Sequence, residues 1–77
     1  MKDLIEYIAE SLVENPDAVR VRERRRRGAL SYELSVAQED MGRVIGKDGR
    51  VAHAMRQLLR AAATAQGKGR VELNIVD

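Results

Sequence analysis

The chain has 77 residues, 44% hydrophobic and 34% charged, which is enough for one packed core, too short for two, and too apolar for a disordered segment. With no cysteine and one histidine, disulfides and a Cys/His-held metal are not expected to brace it. Catalysis has little to draw on, so the chain reads as a non-enzyme without a cofactor. The net charge of +2 hides a segregation of sign: residues 1–17 carry one Lys against five acids, whereas residues 20–27 carry six Arg against one Glu, so a polyanion is drawn to the second segment and repelled by the first.

At the N-terminus, Asp3 and Glu6 interrupt the apolar residues before a signal sequence could form, and no apolar run reaches the length of a membrane span. The expected location is the cytoplasm, and the absence of cysteine is compatible with its reducing conditions. Leu4, Ile5, Ile8, Ala9 and Leu12 recur at steps of three and four, which predicts an amphipathic helix ended by Pro16. From Ala18 the period becomes two. Val19 and Val21 alternate with Arg20, Arg22 and Arg24, and then Leu30, Tyr32, Leu34 and Val36 alternate with Ser31, Glu33 and Ser35. Gly28 between the two runs predicts an antiparallel hairpin with the arginines near its tip.

Gln38, Glu39 and Asp40 suit the positive end of a short helix over about residues 40–45. Gly46 and Gly49 then break the chain. Val51, Met55, Leu58, Leu59 and Ala62 mark the inward face of a longer helix that Gly67 stops, and Val71, Leu73 and Ile75 alternate in a last strand over residues 71–76. The order is helix-strand-strand-helix-helix-strand. Because every strand alternates, the expected fold is α+β, a three-stranded sheet with helices on one face.

Two helices joined by Gly46-Lys47-Asp48-Gly49 have a physical use. Glycines let a backbone approach a ligand, and amides at the start of the second helix are aimed at phosphate oxygens. Lys47, Asp48 and the flanking Arg43 and Arg50 set the local charge, and Val44 and Ile45 either offer an apolar floor for bases or pack in the core, two roles that do not exclude each other. The tetrapeptide alone specifies little. The spacing Gly42-x-x-x-Gly46-Lys47-Asp48 is one residue short of a P-loop and lacks its Ser/Thr, so nucleotide hydrolysis is not indicated. With two Tyr, no Phe and no Trp, the base-stacking surfaces of RRM, OB and cold-shock folds are not available either.

In context, Asp40-Met41-Gly42-Arg43-Val44-Ile45-Gly46-Lys47-Asp48-Gly49-Arg50 closely resembles the signature of KH domains. The element order is similar to their type II, prokaryotic form. In length the chain resembles the small bacterial single-domain KhpA (YlqC) family, and the resemblance covers essentially all of it as one domain. It implies that Gly46, Lys47, Asp48 and Gly49 hold the backbone of about four nucleotides of single-stranded RNA, with Val44 and Ile45 in the groove floor. It also implies an RNA-chaperone role and a homodimer, or a heterodimer with a larger KH protein of the KhpB type.

Arg24, Arg25, Arg26 and Arg27 are more basic than that family pattern; they are candidates for auxiliary backbone contacts, as are His53 and Arg56, and their alternative is plain solvation. Two rival readings remain: a protein-interaction module that pairs with another KH protein or docks on the ribosome, and a DNA rather than RNA binder.

Overall fold

The computed structural model describes residues 1–76. Its elements are α1 (Lys2–Leu12), β1 (Arg20–Arg26), β2 (Ala29–Ser35), α2 (Met41–Ile45), α3 (Arg50–Ala65) and β3 (Val71–Ile75), with single 3₁₀ turns at Pro16–Ala18, Gln38–Asp40 and Lys47–Gly49. In the sheet β2 is central. It pairs antiparallel with β1 and parallel with β3, and a parallel neighbour requires a crossover, which α2 and α3 supply. The arrangement is the expected type II KH order.

The alternation read from sequence sets what is buried. Val21 of β1, Leu30, Tyr32 and Leu34 of β2, and Val71 and Leu73 of β3 face Ile5, Ala9, Val44, Met55, Leu59 and Ala63 from the helices. Burial pushes the Tyr32 phenol up to about 12, an effect that Glu23 directly across the strand pair reinforces; it stays protonated at physiological pH. No helix among the described residues is long and apolar enough to cross a membrane.

Two expectations are corrected by the packing. Helix α1 stops at Leu12, four residues ahead of Pro16, because Val13 is already extended (φ −98°, ψ 161°) and the amides of Glu14 and Asn15 are drawn away to Asp40. The inward stripe of α3 is Ala52, Met55, Leu59 and Ala63. Leu58 lies about 100° around the helix from Leu59 and is 55% exposed. At the start of α2 Asp40 stands at the N-cap position, where an acid was expected; it makes no side-chain capping bond and is buried. At the other end of α3, Gly67 (φ 69°) closes the helix as expected. Its amide and that of Lys68 donate to the carbonyls of Thr64 (3.1 Å) and Ala63 (2.8 Å).

The β1–β2 hairpin turns on two residues. Arg26 pairs with Ala29, leaving Arg27 (φ 47°) and Gly28 (φ 79°) in left-handed backbone, the twist that suits a two-residue hairpin. Glycine adopts it without penalty, but for arginine it costs roughly 1–2 kcal/mol. Arg27→Asn is therefore expected to stabilise the fold by about 1 kcal/mol, seen in calorimetry as a Tm increase of roughly 4–8 °C for a domain of this size; an unchanged Tm contradicts the assignment of strain.

Candidate nucleic-acid interface

The turn between α2 and α3 is positioned by a buried carboxylate. Asp40 has no exposed surface, and it accepts hydrogen bonds from the backbone amides of Glu14 (3.1 Å) and Asn15 (3.1 Å) and from Asn15 Nδ2 (3.0 Å), with Arg43 Nε at 3.3 Å. The Asn15 side chain does most to hold its carboxyl below the usual aspartate range. The backbone bonds and Arg43 add to it, and burial opposes them. The start of α2 is thereby fastened to the α1–β1 connection, which fixes where α2 ends and the turn begins.

The two glycines of that turn have different jobs. Gly46 sits at φ 77°, ψ 171°, a region essentially confined to glycine. A Cβ there would meet Val51 Cγ2 at 2.4 Å and Val51 N at 2.8 Å. Its missing side chain makes room for α3, a structural requirement that the sequence reading did not include. Gly49 (φ 75°, ψ 15°) is left-handed with nothing within 4 Å of a Cβ, so its bare side faces open space. Between them Asp48 is also left-handed (φ 57°).

The amides of the turn divide in the same way. Gly46 N donates to Gly42 O (2.9 Å), Gly49 N to Gly46 O (3.1 Å), and Arg50 N to Lys47 O. Among the described residues, no acceptor takes the amides of Lys47 and Asp48. Those two donors lie next to the exposed side chains of Lys47 and Arg50, with the exposed carboxylate of Asp48 between them.

Two residues expected at the ligand are used internally. Arg43 pairs with Glu14 Oε1 (2.9 Å) and Asp40 Oδ1 (3.3 Å) while its side chain stays 49% exposed, so a phosphate would share it with two carboxylates. Val44 is fully buried in the core and has no surface to offer a base; Ile45, 37% exposed, is the apolar residue beside the turn.

A groove lies between α3 and β3, starting at Arg56, six residues on from Arg50 at the start of α3. Arg56, Leu59 and Arg60 on α3 and residues 71–74 of β3 line a cavity of about 270 Å³. Arg56 Nε donates to the carbonyl of Leu73 (3.0 Å) on the outer edge of the sheet. Arg56, a sequence candidate, thus lies in the groove; His53 is exposed on α3 outside this lining. The β3 edge was not legible in advance, because which strand is an edge depends on pairing and not on composition. Of the four consecutive arginines, Arg24, Arg25 and Arg26 lie in β1 and Arg27 in the turn. The alternation of the strand sends Arg24 and Arg26 to one face and Arg25 to the other, so they do not form one patch.

Comparison with known proteins places the chain in a family. Residues 2–75 match the family described as KhpA/KhpB, KH domain. The chain is 54% identical over 77 residues, all of both chains, to the RNA-binding protein KhpA of Halalkalibacterium halodurans. It is 50% identical over 76 residues, 99% of this chain and all of the relative, to those of Caldanaerobacter subterraneus subsp. tengcongensis and Clostridium acetobutylicum. No solved structure matches at a comparable level. A glycine-bounded turn between two short helices, on a helix-strand-strand-helix-helix-strand frame, and a family match across nearly the whole chain lead to one assignment: this protein belongs to the KhpA/KhpB KH-domain family.

Proposed function

We propose that this protein binds single-stranded RNA by seating the sugar-phosphate backbone on the Gly46–Gly49 turn and running the strand into the groove between α3 and β3. The observation that carries the reading is the pair of unsatisfied amides at Lys47 and Asp48, beside open space at Gly49. Anionic oxygens complete such donors without displacing any internal bond. Lys47 and Arg50 add charge, Ile45 supplies apolar contact, and Arg56 and Arg60 continue the positive lining beyond the first nucleotides. The relatives' name, RNA-binding protein KhpA, supports RNA as the ligand. An aliphatic floor and a backbone grip read few base edges, which favours tolerance of sequence and a chaperone-like role.

The test is Lys47→Asp. Position 48 is already Asp, so the variant presents two adjacent carboxylates at the turn while the core is untouched. Binding to a short single-stranded RNA, followed by fluorescence anisotropy, is expected to fall by at least about tenfold. The parent's log-log salt slope is expected at about −1.4 to −2.1 for two or three neutralised phosphates. A folded variant that binds as the parent does rejects the reading, and a matched DNA oligonucleotide that competes equally removes the preference for RNA.

A specific observation also favours pairing with a second KH domain, either another copy or a larger partner of the KhpB type. Ala54, Leu58, Ala61 and Ala65 are all exposed along one side of α3, an apolar stripe that the chain's own fold leaves uncovered. Two domains joined there would offer two turns to one RNA and raise its effective affinity.

A further inference from the structure

Strand β1 presents a row of arginines that the groove does not use. Arg20, Arg22, Arg24 and Arg26 are all exposed, and they alternate with Val21, which is buried under the helices. The four therefore stand on the face of the sheet turned away from α1 and α3. Successive members are about 7 Å apart and Arg22 to Arg26 spans about 13 Å. Arg20 is occupied at the strand entry, where its Nη1 donates to the carbonyls of Asp17 (2.7 Å) and Val19 (2.9 Å). Among the described residues, Arg22, Arg24 and Arg26 make no ion pair within 4.0 Å.

Arg24 and Arg26 also border a cavity of about 180 Å³ on this face, whose other lining is Ser31, Glu33, Glu72 and Asn74 with Ala29. Glu33 lies across from Arg22 and Ser31 across from Arg24, while Glu72 is already held by Arg70 at 3.2 Å. A hydroxyl and an amide thus stand beside the guanidinium row, and one uncommitted carboxylate faces it. Like charges at this spacing repel, and protecting a sheet edge needs only one or two of them. The repulsion is relieved when a polymer of regularly spaced negative charge lies along the row, and the planar guanidinium fork suits phosphate in particular.

We propose that the outward face of β1, through Arg22, Arg24 and Arg26, is a second RNA-backbone surface that holds a segment other than the one in the α3–β3 groove. The guanidinium row is on β1 and the groove on β3, opposite edges of the sheet, with Glu72 and Asn74 of β3 bordering both cavities. A strand of about four nucleotides is filled by either place alone, so one chain has room for two such strands at once. Two strands held close together on one small protein meet at raised effective concentration, which gives an annealing activity a structural basis. The inference takes from the reading above only that RNA is the ligand; it does not need the turn at Gly46–Gly49 to be the grip.

The experiment counts oligouridines of about four nucleotides bound per chain, by native mass spectrometry of the parent, the triple variant Arg22→Thr/Arg24→Thr/Arg26→Thr, and Lys47→Asp, with circular dichroism to confirm folding. Threonine suits an edge strand and removes the charge. The parent is expected to carry two strands per chain and the triple variant one, with the remaining affinity within about twofold and the salt slope of the lost site near −2. Lys47→Asp is expected to keep one.

One strand per chain on the parent, or two on the triple variant, overturns the proposal. So does a parent whose β1 face takes polyglutamate and not oligouridine. If Lys47→Asp still carries two while the triple variant drops to one, the β1 surface stands and the assignment of the turn falls.

Discussion

Gly46→Ala is expected to destabilise the fold by about 3–5 kcal/mol, while Gly49→Ala, three residues on, costs only about 1 kcal/mol. At Gly46 two penalties coincide. The backbone at φ 77°, ψ 171° is costly for any residue with a Cβ, and the added carbon overlaps both the side chain and the backbone nitrogen of Val51. A backbone nitrogen at the first turn of α3 cannot swing aside as a flexible side chain would, so relief requires moving the helix against the sheet. The whole domain has on the order of 4–12 kcal/mol to lose, so the variant is placed near the edge of unfolding.

At Gly49 the conformation is left-handed but the space is empty, and only the backbone penalty remains. Urea denaturation of both variants reads the difference directly. Gly49→Ala is expected to remain folded and still bind RNA several-fold more weakly, because its methyl group occupies the side that the strand would approach. Equal stability of the two variants contradicts the division of roles between the glycines.

Asp40→Asn is expected to lower Tm by at least about 10 °C at neutral pH, although the change is isosteric. The carboxylate accepts from three donors and faces Arg43. An amide at that position turns an NH₂ group toward at least one of them, leaving buried donors opposed to a donor. The pH dependence gives an independent check with a definite sign. The folded state holds Asp40 below its ordinary value, about 3.9 for the unfolded chain. Its contribution is therefore present above that value and is lost as pH falls through the lower folded value. The Tm gap between parent and Asp40→Asn is expected to be constant from pH 7 to about 5 and to narrow below about pH 4. A gap that stays constant into strong acid means the carboxylate's charge is not what joins α2 to the α1–β1 connection. Loosening that joint also frees the turn, so RNA binding is expected to weaken in the variant even where it remains folded.

How residues 38–50 divide their work shows what could be read in advance. The glycine-bounded turn between two short helices and the order of all six elements follow from local rules: a period of 3.6 or of 2, and breaks where glycine or proline stands. These depend on near neighbours, so the chain alone determined them, along with the inward set of β2 and β3 and the stop at Gly67.

The availability of each side chain was decided elsewhere. Asp40 is 26 residues from Glu14 in sequence and Arg43 is 29 from it, and only folding brings them together, so that the acid at the start of α2 also serves as an internal tie with Arg43 as its partner. Val44 disappeared into the core, Leu58 came out of it, and the run Arg24–Arg27 was dealt to two faces and a turn, because burial is set by which surface each element meets. Periodicity says that a face exists; the three-dimensional packing decides what covers it, and charges left uncovered by that packing are the ones a ligand can use.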